Sequence, residues 1–247
     1  MNSSHGTEVF MNWTQIKKYL NPEYEDNAWG EWVECNKKYI NDKKNQFILD
    51  AGCGTGFGSA LRKFKSIKKF GCDIDKNLAS KKYLDFWICC SIDQLCFKTE
   101  TFQAVTCNWV LEHVKNPERT IEEIYKIIDS GGYFIFRTPN IFNYAIVLSY
   151  ITSTKFHNFL RNLNSKEENG NVDNVPTYYK VNTKYKIQKY LKKSGFEIVD
   201  IYYQGTASEY FTFSRLFYGI GKIGDLITDL FFLRWLKKNI VCIARKK

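Results

Sequence analysis

The sequence contains few of the residues that interrupt helices and strands, and few of the patterns that bind metal ions. It has 4 prolines and 15 glycines in 247 residues, which excludes collagen-like and proline-rich architectures. Its 3 histidines lack zinc-ligand spacing and its 8 cysteines form no Cys-x-x-Cys pair, so we predict no metal site. No apolar run reaches the roughly 18 residues of a membrane span. The chain is therefore predicted to be a globular protein without a zinc module or a spanning helix.

The residues that are abundant are apolar, aromatic and basic. The chain is 44% hydrophobic and 17% aromatic, and its net charge is +10. Residues 141–247 hold 17 Lys and Arg against 8 Asp and Glu, so they carry +9 of that charge. A field of this sign favours anionic partners such as lipid headgroups, nucleic acid or acidic substrates. Because no secretory signal is recognisable, we expect reduced thiols and a cytoplasmic location. The basic charge leaves a membrane-peripheral position open as an option.

Short apolar runs alternate with helical patterns along most of the chain. This alternation predicts an α/β fold with a doubly wound, mostly parallel sheet and helices on both faces. We expect residues 1–46 to form an N-terminal helical cap, with helical patches around Val9–Leu20 and Asn27–Ile40, and residues 47–247 to form one domain with insertions at 141–180 and 205–238. The predicted strands are Phe47–Ala51, Lys69–Asp73, Phe86–Cys90, Ala104–Val110, Tyr133–Thr138, Phe196–Tyr203 and Ile240–Ala244. The predicted helices between them are Phe57–Lys65, Lys76–Leu84, Pro117–Asp129 and Thr183–Ser194.

A glycine-rich loop follows the first predicted strand. Its sequence from Asp50 to Gly56 is DAGCGTG, and Asp73 ends the next strand. Glycines let the backbone turn sharply and approach a ligand, and a carboxylate at the second strand can accept hydrogen bonds from ribose hydroxyls. Phe57 stands where the dinucleotide fingerprint G-x-G-x-x-G needs its last glycine, and the Walker pattern is absent. The loop therefore predicts a nucleoside-containing cofactor other than NAD.

Three segments resemble the class I S-adenosylmethionine-dependent methyltransferases. ILDAGCGTG (48–56) is similar to their cofactor loop, GCDID (71–75) to their second-strand acidic motif, and residues 101–140, with LEHV and TPN, to their fourth strand, helix and fifth strand. The group with these last two motifs includes ubiquinone-pathway O-methyltransferases. The resemblance implies a Rossmann-like sheet of seven strands, the last antiparallel, and S-adenosyl-L-methionine as cofactor.

The resemblance also assigns residues to parts of that cofactor. It places glycines 52, 54 and 56 against the methionyl part, Asp50 near its amino end, and Asp73 on the ribose hydroxyls. The adenine would lie against Ile74 and contact Ser91 and Ile92, where many relatives have aspartate and a small apolar residue. Asn108 would line the methionyl side near the sulfonium. The cofactor-binding set is Asp50, Gly52, Gly54, Gly56, Asp73, Ile74, Ser91, Ile92 and Asn108.

His113 is the candidate catalytic residue. Its imidazole could remove a hydroxyl proton while the oxygen attacks the methyl group, or it could orient the loop after the fourth strand through backbone hydrogen bonds. Some relatives bind a divalent metal through E-x-x-E-H. Here Trp109 replaces the first carboxylate, so catalysis without a metal is predicted.

The acceptor is not identified by any motif. We expect O-methylation of a small-molecule or lipid-linked hydroxyl, with the apolar segments Ile141–Ile151 and Tyr210–Trp235 forming a helical cover beside the cofactor cleft. Tyr210–Trp235 could instead form a dimer face or an interfacial helix on anionic lipid. Two other classes remain open. One is a nucleic-acid (RNA) methyltransferase, suggested by basic clusters such as Lys184–Lys193, although no RNA-binding module is recognisable; the other is a non-catalytic cofactor-binding partner subunit.

Overall fold

The computed structural model describes residues 24–56, 58–75, 83–151, 176–211 and 215–247. The predicted helix Val9–Leu20 and most of the predicted helix Lys76–Leu84 lie outside these residues. The seven strands and the helices all lie within these described residues.

Seven strands form one sheet in the order β3-β2-β1-β4-β5-β7-β6. The first five strands are parallel, and β7 runs antiparallel to both β5 and β6. This arrangement confirms the predicted fold class, including the antiparallel last strand. The strands are β1 (Phe47–Ala51), β2 (Lys68–Asp73), β3 (Phe86–Cys89), β4 (Phe102–Asn108), β5 (Ile128–Pro139), β6 (Phe196–Gln204) and β7 (Asn239–Lys246).

Helix α2 (Pro117–Ile127) packs on one face of the sheet. Asn116 caps it by accepting a hydrogen bond from the Arg119 backbone N–H, as the Asn-Pro pair predicts. The helix ends at Ile127, however, and Ile128 already belongs to β5. The helix is therefore two residues shorter than the predicted range Pro117–Asp129. Gly132 lies inside β5, where a Cβ atom would come within 2.8 Å of the Gln103 carbonyl oxygen on β4.

Helix α1 (Tyr24–Tyr39) covers the opposite face and buries Trp32 and Val33 completely or nearly so. The predicted helix Phe57–Lys65 is reduced to a 3-10 helix at Ala60–Lys63. A contact with a residue distant in sequence ends it. The Asp42 carboxylate accepts hydrogen bonds from the backbone N–H groups of Lys65, Ser66 and Ile67, which would otherwise continue helical bonding.

The remaining helices are α3 (Tyr144–Ile151), α4 (Lys184–Lys193) and α5 (Arg215–Asp229), with a 3-10 helix at Phe231–Leu236. Helices α3 and α5 come from the two predicted insertions and contact each other, because the Tyr144 hydroxyl donates to the Gly221 carbonyl oxygen. Thr183 caps α4, whose limits confirm the prediction. None of the helices described here is both long enough and apolar enough to cross a bilayer.

Candidate functional site

The glycine-rich loop leaves β1 at the carboxyl edge of the sheet, with positive φ angles at all three glycines. These are +73° at Gly52, +48° at Gly54 and +75° at Gly56. A Cβ atom would come within 2.4 Å of Val110 at Gly52 and 2.0 Å of Tyr83 at Gly56, but would meet nothing within 4 Å at Gly54. The outer two glycines are thus required for packing. The middle one borders open space, and it is there that the backbone can approach a ligand.

The Asp73 carboxylate lies beside that open space. One of its oxygens accepts a hydrogen bond from the Gly54 N–H at 2.8 Å, and the other accepts from the Asp75 N–H at 2.9 Å. Each carboxylate oxygen has a second lone pair, so the group can still accept from two ligand hydroxyls. The next side chain, Ile74, is 66% exposed. An anchored carboxylate beside an exposed apolar side chain fits a ribose with its attached base.

Asp50 lies beneath the loop and is only 3% exposed. Its carboxylate accepts a hydrogen bond from the Tyr83 hydroxyl at 2.7 Å and another from Ser59. Burial raises the pKa of Asp50, and the two hydroxyl groups partly oppose that shift. The structure therefore gives Asp50 partners within the protein, below the loop that the resemblance expects it to support.

The predicted adenine end contains an unforeseen carboxylate. Ser91 donates its hydroxyl hydrogen to Asp93 at 2.5 Å, and Ile92 is buried in the core at 8% exposure. The Asp93 carboxylate thus lies within hydrogen-bonding distance of Ser91. Sequence reasoning missed it because the resemblance pointed to Ser91 and Ile92 only.

Asn108 joins β4 to the loop region and to a buried arginine. Its side-chain amide donates to the Gly58 carbonyl oxygen at 3.0 Å and accepts from Arg137 Nε at 2.8 Å. Arg137 is 3% exposed, and its guanidinium carbon lies 4.5 Å from the Trp109 ring centroid and 5.2 Å from that of Trp32. Sequence reasoning overlooked Arg137, although a charged residue inside the apolar run YFIFRTP is a visible signal.

Trp109 occupies the position where some relatives have a metal-binding carboxylate. Its indole N–H donates to the Asn239 side-chain oxygen at 3.1 Å, and its φ of +56° is rare for a bulky residue. Such a backbone angle cannot be read from sequence. No group of three or more His, Cys, Asp or Glu side chains suited to a metal ion occurs among the residues that the structure describes.

The LEH segment connects the loop after β4 to the chain near residues 176–179. The Glu112 backbone oxygen accepts from the N–H groups of Tyr178 and Tyr179, and the His113 Nδ1 atom lies 3.1 Å from the Pro176 carbonyl oxygen. The Glu112 carboxylate accepts from the Thr138 hydroxyl. Burial raises the pKa of Glu112 to about 7. These contacts give the segment a connecting role whatever chemistry His113 performs.

A doubly wound sheet, a glycine loop at its carboxyl edge and an anchored carboxylate on the next strand define the class as nucleoside-cofactor-binding α/β proteins. Residues 49–136 match the family model described as "Methyltransferase domain". The ubiquinone biosynthesis O-methyltransferase of Coxiella burnetii is 34% identical over 114 residues, which are 42% of this chain and 49% of that protein. The chain spans about half the length of the curated relatives it matches.

Solved structures share the fold at low sequence identity. A putative Haloferax volcanii methyltransferase, solved with the Trm112 methyltransferase activator, has a TM-score of 0.58 at 14% identity, with 93% of this chain and 94% of that chain covered. A Haemonchus contortus phosphoethanolamine N-methyltransferase, solved with S-adenosylhomocysteine, has a TM-score of 0.56 at 17% identity, covering 89% and 53%. Residues 49–136 thus match a methyltransferase domain, and the chain shares the fold of these methyltransferase structures, as the sequence motifs predict.

Proposed function

We propose that the chain transfers a methyl group from S-adenosylmethionine to a hydroxyl oxygen of a small or lipid-linked acceptor. The observation that carries the proposal is the Asp73 carboxylate, held by the Gly54 N–H beside open space. The matched relative named as a ubiquinone biosynthesis O-methyltransferase supports oxygen as the acceptor atom.

When bound, the cofactor would supply a methyl group on a sulfonium, and S-adenosylhomocysteine would leave as a neutral thioether when the acceptor oxygen displaces it in line. Asp73 would accept hydrogen bonds from the ribose hydroxyls, and Ile74 would cover the adenine. Because glycines 52, 54 and 56 have no side chains, the methionyl part could approach the backbone of the loop. Asn108, fixed by Gly58 and Arg137, would face the methionyl side. Because the displacement is driven largely by alignment, these positioning contacts account for most of what the protein must do.

The acceptor oxygen must also lose its proton. If the His113 Nδ1–H donates to the Pro176 carbonyl oxygen, the Nε2 lone pair is available to take that proton. The same contact also fits a histidine that only orients the loop. His113→Ala separates the two roles: a base predicts a fall in kcat of about 10²-fold or more with little change in cofactor affinity. Equal losses in both would instead assign His113 to the loop.

Calorimetric titration tests the cofactor assignment directly. We expect S-adenosylmethionine and S-adenosylhomocysteine to bind and NAD not to bind, and heat from NAD alone would overturn the proposal. Methyl transfer to catechol-type and other hydroxyl acceptors is then measured with the radiolabelled cofactor. Because Trp109 replaces a carboxylate ligand, we expect activity to persist in EDTA; loss in EDTA with recovery in magnesium would contradict this.

A further inference from the structure

Helix α5 has the reverse of the usual burial pattern. The positions that face the domain are small or polar: Gly221, Asp225 and Thr228 are buried. The Asp225 carboxylate accepts from the Tyr144 hydroxyl at 2.9 Å, the Ala207 N–H at 2.7 Å and the Ser208 N–H at 3.2 Å. Polar contacts therefore attach this helix to the domain, and its large apolar side chains lie on the exposed side of the helix.

Those apolar side chains face outward. Ten large apolar residues between positions 216 and 235 have exposures from 43% to 85%. We call them the outer apolar face: Leu216, Phe217, Ile220, Ile223, Leu226, Ile227, Leu230, Phe231, Phe232 and Trp235. A contiguous surface of this kind marks an interaction site, because a solvated monomer rarely tolerates it.

Positive charge borders the outer apolar face. Residues 215–238 contain five basic and two acidic residues. Lys238 is buried and Lys237 pairs with Asp229, so the cations assigned to this border are Lys222 and Arg234. Of the two acidic side chains, Asp225 points into the domain, and Asp229 lies 2.5 Å from the Lys237 amine. On the basic side, the Lys222 amine is 5.6 Å from the Tyr218 ring centroid and the Arg234 guanidinium is 5.9 Å from that of Phe231. Cations therefore lie against aromatic rings of this same segment.

From the apolar exposure and the bordering charge, we propose that the outer apolar face docks on an anionic lipid bilayer. A helix with one apolar side and basic residues at its border lies in the plane of a membrane interface. Trp235 suits that position, since indole rings favour the headgroup level. The basic residues then contact anionic headgroups while the leucine, isoleucine and phenylalanine side chains enter the acyl boundary.

The charge distribution favours a bilayer over a second copy of the chain. A two-fold dimer interface places the same patch against itself, so the basic residues would meet like charges from the partner. The exposed carboxylate of Asp229 is already paired with Lys237, so it would not offset the repulsion between Lys222 and Arg234 of the two copies. Anionic lipid supplies the missing charge without a symmetric constraint.

The proposed orientation turns the carboxyl edge of the sheet toward the membrane. The Asn140 side-chain amide, just beyond β5, donates to the Trp235 carbonyl oxygen at 2.7 Å, and the Phe142 and Trp235 rings are 5.9 Å apart. The outer apolar face is thus continuous with the edge that holds the cofactor loop. Resting on the proposed function, this orientation would let a lipid-linked hydroxyl reach the site from the bilayer.

Vesicle flotation of the purified 247-residue chain tests the docking surface. We expect binding to phosphatidylcholine vesicles containing phosphatidylglycerol and much weaker binding to phosphatidylcholine alone. Leu226→Glu with Phe231→Glu should reduce binding roughly tenfold or more, because both side chains would carry charge into the acyl boundary. The matched control is Tyr185→Glu with Val199→Glu, two other exposed residues, which should retain binding.

A second pair of variants tests the charge. Lys222→Gln with Arg234→Gln should weaken binding roughly fivefold for each basic residue lost. Lys189→Gln with Lys192→Gln removes the same charge from exposed positions on α4 and should leave binding nearly unchanged. Equal losses in both pairs would overturn the assignment to the outer apolar face.

Cofactor titration separates this inference from the proposed function. Asp73→Ala should lose S-adenosylmethionine affinity and keep vesicle binding. Leu226→Glu with Phe231→Glu should keep S-adenosylmethionine affinity and lose vesicle binding. If the wild-type chain does not bind anionic vesicles, the docking proposal fails even where cofactor binding is normal. A dimer in light scattering that this double variant converts to monomer, without vesicle binding, would assign the face to a second copy.

Discussion

Helices α2 and α5 use the same helical periodicity in opposite ways. Helix α2 buries Ile121, Ile124 and Ile127 against the sheet, whereas α5 buries Gly221, Asp225 and Thr228 and exposes its large apolar residues. A periodic pattern therefore identifies the two faces of a helix but does not show which of them packs against the domain. In α5 that choice follows the donors offered by Tyr144, Ala207 and Ser208.

Truncating one apolar side chain in each helix should give the largest contrast. Ile124→Ala removes a fully buried side chain and should lower the free energy of unfolding by about 2–5 kcal/mol, because it leaves a cavity under the sheet. Leu226→Ala removes a side chain that is 68% exposed and should change stability by less than about 0.5 kcal/mol. Urea unfolding of both variants in lipid-free buffer measures the difference. Similar losses would mean that α5 packs its apolar face in solution.

Two of the buried carboxylates, Asp225 and Glu112, offer a second contrast. Asp225 accepts hydrogen bonds from three donors, but Thr138 is the side-chain donor recorded for Glu112. Burial raises the pKa of Glu112 to about 7 from its usual 4.5. The folded state therefore favours its protonated form, and that contribution to stability is lost as the pH rises from 4.5 through 7.

Glu112→Gln should accordingly stabilise the fold at pH 8 by up to about 3 kcal/mol and make little difference at pH 4. Asp225→Asn should destabilise the fold at pH 8 by about 1–3 kcal/mol, since one amide oxygen cannot serve all three donors. Thermal unfolding between pH 4 and pH 8 checks both signs. A destabilised Glu112→Gln variant at pH 8 would show that ionised Glu112 is favoured in the fold.

The cofactor loop is sensitive to a different kind of change, one that affects binding more than folding. Asp73→Ala removes the acceptor for the Gly54 N–H and for two proposed ribose hydroxyls. We expect S-adenosylmethionine affinity to fall by roughly two decades, about 2.7 kcal/mol. Asp85→Asn, at the opposite end of β2 where Asp85 accepts from the Lys69 N–H, is the control and should bind normally. Unchanged affinity in Asp73→Ala would remove Asp73 from the site.

The features that could be predicted from the sequence are those set by local rules, and the ones that could not depend on contacts between distant residues. The strands and loop were predictable because their apolar runs, the glycines and Asp73 act through local rules. The role of Arg137 could not be predicted, because its contacts with Asn108 and Trp109 depend on the pairing of β4 with β5. The shortened helix at Ala60–Lys63 and the outward face of α5 likewise depend on distant partners, namely Asp42 and Tyr144.

The smallest expected effect concerns the support beneath the loop. Tyr83→Phe keeps the ring that packs against Gly56 but removes the hydroxyl that donates to Asp50 at 2.7 Å. Ser59 then remains as the partner of this buried carboxylate, so we expect a loss of about 1 kcal/mol in stability and a further rise in the Asp50 pKa. Tyr185→Phe, at a side chain that is 74% exposed, should have no effect on unfolding. Because the phenyl ring still packs against Gly56, the cofactor affinity of Tyr83→Phe should change by less than about threefold. A larger loss of affinity would mean that the hydroxyl sets the conformation of the loop that binds the cofactor.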